Sequence, residues 1–384
     1  MQRKKILWLA SWYPNRNDRF DGDFIQRHAR AAAICHDVHV IFVTDAEMQK
    51  EVDEEWNYAT GLTEQIVYFK RKQGIAARIR KQFAWRNIYR EAIKKYIAKN
   101  GLPDCVHVHV PWKAGLIAIW LKKEFGKDFI VTEHWGIYNS VIDHNYYSKS
   151  RLEQTLLKNC FQSAKAFVSV SAFLAGGVER IANKRADDII PNVVDTTLFF
   201  QNEVRYSKFT FVHVSNMVPL KNVKGIIDAF KKVSERNKSE EMQLVLIGNK
   251  DHEYVKYAGS LGLLNSSVFF RGEIAYDEVA KEMQRSHCFI LNSIMENSPC
   301  VIGEALCCGL PVIATNVGGV PELVNHGNGR LVSPNNVEEL AKAIDEVMNN
   351  YSYFNTKSIA EEASQKFSYS AISGKFDELY RRFC

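Results

Sequence analysis

The sequence predicts an α/β protein made of two similar, doubly wound domains, and three observations lead there. The chain has 384 residues, beyond the roughly 250–300 at which a single hydrophobic core stops growing. Short apolar, β-branched runs alternate with longer amphipathic ones, the pattern of a parallel sheet wrapped by helices. That alternation pauses at Ile189-Ile190-Pro191-Asn192-Val193-Val194-Asp195 and a polar stretch to Ser207, then restarts. With 46% hydrophobic and 24% charged residues, the composition excludes wholesale disorder. No apolar run approaches the roughly 18 residues that a membrane-spanning helix needs.

The first strand is expected at Lys5–Ala10. The basic, then apolar start is signal-like, but Ser11 and Pro14 break the apolar stretch and no small-x-small cleavage site follows, so a buried strand fits better. Further strands are expected at Val38–Thr44, Gln65–Phe69, Cys105–Val110, Phe129–Thr132 and Ala166–Val170. Helices are expected between them at Phe24–Ile34, Ile75–Lys99, Lys113–Phe125, Ser150–Cys160 and Ala172–Asn183. In the second half the strands are Phe209–Val214, Gln243–Ile247, Ser267–Arg271, His287–Asn292 and Pro311–Ala314. Its helices are Val223–Glu235, Tyr276–Gln284, Cys300–Cys308, a short one near Pro321–Asn325 and Val337–Met348. A last helical stretch, Phe367–Phe383, ends the pattern.

Residues 1–200 carry 30 Lys and Arg against 22 Asp and Glu, and residues 201–384 carry 20 against 22. The excess concentrates from Lys70 to Lys99, where eleven cations, Arg78, Arg80, Lys81 and Arg86 among them, face the single acid Glu91. Apolar residues recur there at helical spacing. A helix with its stripe on the core and a docking face for an anionic membrane surface are both consistent with this pattern. Nucleic acid is not expected, because no nucleic-acid module accompanies the charge. The eight cysteines lack CxxC or Cys/His ligand spacing, which predicts reduced, buried thiols in a cytosolic protein.

No GxGxxG follows the first strand, and GxxxxGK[ST], HExxH and GxSxG are missing from the sequence. A dinucleotide dehydrogenase, a P-loop kinase, a zinc protease and an α/β-hydrolase thereby lose their main support. Chemistry concentrates instead in Asn292–Val324, NSIMENSPCVIGEALCCGLPVIATNVGGVPELV. A strand ends near Ser293, a loop carries Glu296, Asn297 and Ser298, and a helix is expected to begin at about Pro299, a residue suited to the first helical position. The amides of Cys300 and Val301 then form a phosphate-ready helix start. Glu296 in the loop and Glu304 about two turns into the helix can each accept two hydroxyls.

This segment resembles the glutamate-x7-glutamate signature of the family 4 retaining glycosyltransferases, which have the GT-B fold. The resemblance extends over nearly the whole chain: Ser11-Trp12-Tyr13-Pro14 with Gly22, His107-Val108-His109, Thr132-Glu133-His134-Trp135, Pro191-Asn192-Val193-Val194-Asp195 and Arg271-Gly272 stand at family landmarks. It implies an N-terminal acceptor domain (1–200) and a C-terminal nucleotide-sugar domain (201–366) facing a central cleft. Residues 367–384 would form a helix crossing back to the first domain. Glu304 would hold the ribose hydroxyls and Glu296 those of the transferred sugar. Ser298, Pro299, Cys300 and Val301 would line the sugar and distal phosphate, and a Gly22 amide would approach the donor. Lys221 would neutralise the diphosphate. The usual second cation of that loop is Asn216, which donates a hydrogen bond without charge; Lys224 and Arg271 are the nearby substitutes. His134 would contact sugar or acceptor and stabilise developing charge, with His109 beside it.

The expectation is therefore a cytoplasmic enzyme, peripheral on the inner face of the cell membrane. It would move a sugar from a UDP-sugar, less readily a GDP-sugar, to a lipid-linked glycan of a surface polysaccharide. No cofactor and no metal are expected, since no DxD-type acidic pair is present and the family does without one. Two alternatives remain open: an epimerase or phosphorylase of the same fold, and a non-catalytic two-domain sugar-binding protein.

Overall fold

The computed structural model describes residues 2–71, 75–236, 242–249 and 252–384, the side chains of 75–80 excepted. Lys72 and the side chains of Arg78 and Arg80 lie outside the described residues. The chain forms two compact units, Met1–Pro191 with Tyr369–Cys384, and Asn192–Ser368.

Unit 1 runs β1 (Lys5–Ala10), α1 (Asp23–Cys35), β2 (Asp37–Ala46), β3 (Val52–Ala59), β4 (Leu62–Lys70), α2 (Ile75–Asn100), β5 (Cys105–His109), α3 (Pro111–Phe125), β6 (Phe129–Glu133), α4 (Arg151–Ser163), β7 (Ala166–Ser169), α5 (Ala172–Ala182) and β8 (Asp188–Ile189). Its sheet has the order β3-β4-β2-β1-β5-β6-β7-β8. The pairs are parallel except β3 with β4. The sequence pattern misses β3 because it is an edge strand, VDEEWNYA, with no buried residue and so no alternation to read. β5 stops one residue earlier than expected. Val110 turns to φ 59, and Pro111 opens α3. The basic segment is helical, and its stripe of Trp85, Tyr89, Ala92, Ile93 and Tyr96 is spent on the core.

Unit 2 runs β9 (Phe209–Val214), α6 (Val223–Arg236), β10 (Met242–Ile247), α7 (His252–Ser260), β11 (Val268–Gly272), α8 (Tyr276–Arg285), β12 (Cys288–Leu291), α9 (Cys300–Cys307), β13 (Val312–Thr315), β14 (Gly329–Val332), α10 (Val337–Asn349) and α11 (Thr356–Phe367). Its sheet, β11-β10-β9-β12-β13-β14, is parallel throughout. Both sheets are thus Rossmann-like. Such sheets present their ligand-binding loops at the carboxyl ends of the strands.

The final helix α12 (Tyr369–Phe383) belongs to unit 1. It buries Ile372, Phe376, Leu379 and Tyr380. The buried Tyr380 hydroxyl accepts from Trp8 Nε1 at 3.0 Å and meets His107 Nδ1 at 2.8 Å. His107 Nε2 in turn lies 2.7 Å from Thr132 Oγ1. Because the indole can only donate, the Tyr380 hydrogen goes to His107 Nδ1, and His107 donates from Nε2 to Thr132. The same return of the chain brings Cys384 to the start of β5, where it forms a disulfide with Cys105. This corrects the expectation of eight reduced thiols. A pairing across 279 residues leaves no spacing signal in the sequence. Cys35, Cys160, Cys288, Cys300, Cys307 and Cys308 are not in disulfides. Among the described residues no helix is long and apolar enough to cross a membrane.

Replacing Tyr380 by Phe should leave Trp8 Nε1 and His107 Nδ1 buried without partners, at about 1–3 kcal/mol. The urea midpoint should fall accordingly; an unchanged midpoint would show that the hydroxyl contributes nothing.

Candidate active site

In unit 2 the candidate residues gather at the carboxyl ends of β9, β12 and β13. Buried His213, at the end of β9, has Nδ1 2.8 Å from the Ile290 carbonyl, which can only accept, so Nε2 accepts from Ser215 Oγ at 2.8 Å. Ser215 Oγ in turn accepts from the Met217 amide at 3.0 Å. This chain sets the turn that leads to Lys221. Asn216 is exposed on it, and Lys221 closes a short 3₁₀ turn, Pro219–Lys221. The Lys221 ammonium donates to Glu296 Oε1 at 2.5 Å, and Ser293 Oγ donates to the same oxygen at 2.7 Å. The Glu296 carbonyl accepts from the Gly319 amide at 3.1 Å. Gly318, at φ 55, lies so close that an added Cβ would be 1.7 Å from that carbonyl oxygen; only glycine fits there.

α9 begins at Cys300, with Pro299 as the residue flanking it rather than its first member. The Ser298 carbonyl accepts from Asn192 Nδ2 at 2.8 Å. Glu304 is therefore the fifth residue of α9, little more than one turn in, and is 3% exposed. Its Oε1 accepts from the Tyr276 hydroxyl at 2.7 Å. Tyr276 and Ser293 carry no motif of their own, and sequence reasoning passed over both. The suggested substitutes for the missing cation are engaged elsewhere. Arg271 lies 3.8 Å from Glu282, and the Lys224 ammonium sits 4.8 Å over the Tyr257 ring.

In unit 1, Gly22 precedes α1 at φ 64, and a Cβ there would lie 2.7 Å from the Trp12 carbonyl. His134 follows β6 and is 8% exposed, whereas His109 at the end of β5 is fully buried. His109 Nδ1 and His134 Nε2 are 3.1 Å apart, sharing one ring hydrogen. Trp8 stacks on the His109 ring with centroids 3.8 Å apart. The His134 backbone is held by Glu133, whose Oε1 accepts from the amides of His134 and Trp135 at 2.8 Å each. Glu133 also accepts from the Tyr138 hydroxyl. Burial pushes the Glu133 carboxyl up to about 7, against these bonds. Buried His28 adds a third ring. Its Nε2 donates to the Pro191 carbonyl at 2.9 Å, leaving a lone pair on Nδ1. His28, His109 and His134 each place a ring nitrogen within 4.8 Å of the others, a set that could hold a metal ion.

Burial keeps the rings of His28, His107, His109 and His213 neutral. His28 is lowered to about 4, His107 to about 3 and His213 to about 4; burial lowers His109 further, reinforced by His107, His134 and His28. Below the ordinary histidine value of about 6.5 the unfolded chain takes up protons that the fold refuses. The stability these histidines contribute is complete above that pH and falls as pH drops towards 4; Glu133 and Asp21, raised in the fold, act in the opposite direction over this window but are outnumbered. Each such histidine contributes a slope of roughly 1.4 kcal/mol per pH unit. Urea midpoints from pH 7 to 4.5 test this, and a flat profile would contradict it.

Comparison with known proteins agrees with this architecture. Residues 194–369 match the family model for glycosyl transferases group 1, and residues 24–198 match that for glycosyltransferase family 4. An uncharacterised glycosyltransferase of Methanocaldococcus jannaschii is 27% identical over 325 residues, 82% of this chain and 83% of the relative. A Bacillus subtilis glycosyltransferase named provisionally for teichuronic acid biosynthesis, TuaC, is 23% identical over 88% of both chains. Among solved structures, sucrose-phosphate synthase from Thermosynechococcus elongatus has a TM-score of 0.77 at 19% identity, covering 99% of each chain. HepE of Anabaena, in complex with UDP, has a TM-score of 0.72 at 19% identity, covering 98% of this chain and 100% of that one. Fold and relatives together define a glycosyltransferase of the GT-B class. Within that class the chain belongs to glycosyltransferase family 4.

Proposed function

We propose that the enzyme transfers a sugar, with retention and without a metal, from a UDP-sugar in preference to a GDP-sugar onto a lipid-linked glycan. The observation that carries this reading is the Lys221–Glu296 contact at the end of two neighbouring strands, ahead of a helix start. The UDP seen with HepE and the naming of TuaC agree with it. Glu296 receives the hydroxyls of the transferred sugar, and Glu304, oriented by Tyr276, receives those of the ribose. Gly22 contributes a backbone amide to the donor. The bond from anomeric carbon to diphosphate oxygen breaks with its electron pair passing to that oxygen. Lys221 spends one N–H on Glu296, and its other two meet the developing charge together with Asn216 and the first turn of α9. The acceptor hydroxyl attacks from the same face, and its proton passes to the departing phosphate oxygen. His134, held by Glu133 and His109, stabilises positive charge on the sugar; His109 acts through it.

Glu304→Gln preserves the contact with Tyr276 and removes the charge. It should weaken UDP binding about 10–100-fold, the loss of one charged hydrogen bond, with circular dichroism unchanged. Wild-type affinity in the variant would end the ribose assignment. The same titration with EDTA should be indistinguishable from one without. A loss of turnover in EDTA, restored by zinc or magnesium, would contradict the metal-free reading and point to the three histidines.

The exposed side of α2 carries Phe83, 55% exposed, with Arg86, Lys94, Lys95 and Lys99. We infer that this face rests on anionic membrane, each cation adding about 1 kcal/mol. Replacing the four cations by Glu should reduce partition into phosphatidylglycerol vesicles at least a hundredfold at low salt. Unaltered partition would remove the membrane from the account.

A further inference from the structure

A cavity of about 310 Å³ opens in unit 1, at the carboxyl ends of β1, β2 and β4, the second and third turns of α2 and the first turn of α3. Its volume sits at the lower end of the roughly 300–1,000 Å³ usual for small-molecule sites, enough for a single ring. One wall is made of three half-buried indoles. Trp135 meets Trp12 edge to face at 5.4 Å between centroids and Trp112 at 5.9 Å. From outside, the Lys149 ammonium clamps this wall, 4.4 Å over Trp112 and 5.1 Å over Trp135. Indoles held at fixed angles present π faces whose negative charge suits the C–H face of a pyranose ring.

The charges in the cavity are unequal in their partners. Asp45 accepts from Lys81 at 2.7 Å and from Arg71 at 2.8 Å. Burial pushes its carboxyl up, but these two bonds outweigh burial and hold it below the usual range. Lys113, in the first turn of α3, has an ammonium that makes no hydrogen bond or ion pair among the described residues. Burial lowers its pKa, and the neighbouring charge of Lys81 adds to this. Asp45 is its nearby counter-charge and acts against that lowering, but Lys81 and Arg71 already hold both Asp45 oxygens, so a half-enclosed cation is left without a bonded acid at the positive end of a helix, where acids are favoured. Asp21, pushed up to about 6 by burial and then by Asp18, is the remaining acid of the lining and can accept from hydroxyls.

We propose that this cavity binds a sugar ring carrying a negatively charged substituent, with the ring on Trp12, Trp112 and Trp135 and the anion on Lys113. The anion is either a ring carboxylate or a phosphoryl group. Calling this ligand the acceptor rests on the transferase reading above; its binding does not.

The test uses the full chain without any donor and reads tryptophan fluorescence together with calorimetry. Glucose, galactose and N-acetylglucosamine are compared with their 1-phosphates, and glucose and galactose also with their uronic acids. Inorganic phosphate serves as the control. At least one anionic member should bind tenfold or more tightly than its neutral parent and than inorganic phosphate. A uronic acid winning identifies a carboxylate, a 1-phosphate a phosphoryl group. Lys113→Gln should abolish the preference while keeping ring binding, and Trp112→Leu should weaken neutral and charged members alike. Equal binding of neutral and charged members, binding of none, inorganic phosphate matching the sugar phosphates, or a preference that survives Lys113→Gln would each overturn the proposal. Binding as described in an enzyme that transfers nothing from any nucleotide sugar would instead leave the cavity standing and remove the transferase reading.

Discussion

Three loops of unit 2 converge on Glu296. The turn after β9 reaches it through the Lys221 ammonium, its own loop after β12 through the Ser293 hydroxyl, and the loop after β13 through the Gly319 amide on its carbonyl. A parallel sheet delivers all three to one edge, where the Ile294 amide already bonds the Leu220 carbonyl and the Thr315 hydroxyl the Ser293 carbonyl. Glu296 adds one carboxylate and one backbone carbonyl that touch all three, and Gly318 is the residue that lets the third loop come close enough. The first turn of α9 follows directly, so its aim depends on how the Glu296 loop is held.

Unit 1 is organised by the opposite device, a polar interior kept uncharged. His28, His107 and His109 and the linked hydroxyls of Tyr380 and Thr132 are buried side by side. Such groups are tolerated in a core only with defined partners. The Trp8–Tyr380–His107–Thr132 chain supplies them for His107 and the two hydroxyls, from β1, α12, β5 and β6. It assigns a single tautomer to His107, and α12 takes part in it through one hydroxyl.

Much of this was legible in the sequence. The strand and helix alternation located most elements, because strands buried on both faces read as continuous apolar runs and the helices keep a clear stripe. The run Asn292–Val324 pointed to Glu296, Ser298 and Glu304 by pattern. What stayed hidden was whatever lacks a period or a short-range partner. β3 is exposed on both faces, α7 and β14 are short, and Cys105 and Cys384 are too distant in sequence to be paired by spacing. Tyr276 and Ser293 are ordinary residues until the fold brings them to Glu304 and Glu296. The three tryptophans of the cavity's indole wall come from three separate segments, so no local pattern announces them.

The return of α12 to unit 1 has a consequence for the order in which the protein can be made. Domains fold largely as units while the chain emerges during synthesis. Unit 2 is continuous, Asn192–Ser368, and can complete its core as soon as it leaves the ribosome. Unit 1 is synthesised first but lacks its last helix until residues 369–384 appear. Until then Trp8 Nε1 and His107 Nδ1 lack the Tyr380 hydroxyl, and the face of α1 that α12 covers is open to water. Unit 1, translated ahead of unit 2, is thus finished after it, and its core stays unsealed while unit 2 is made.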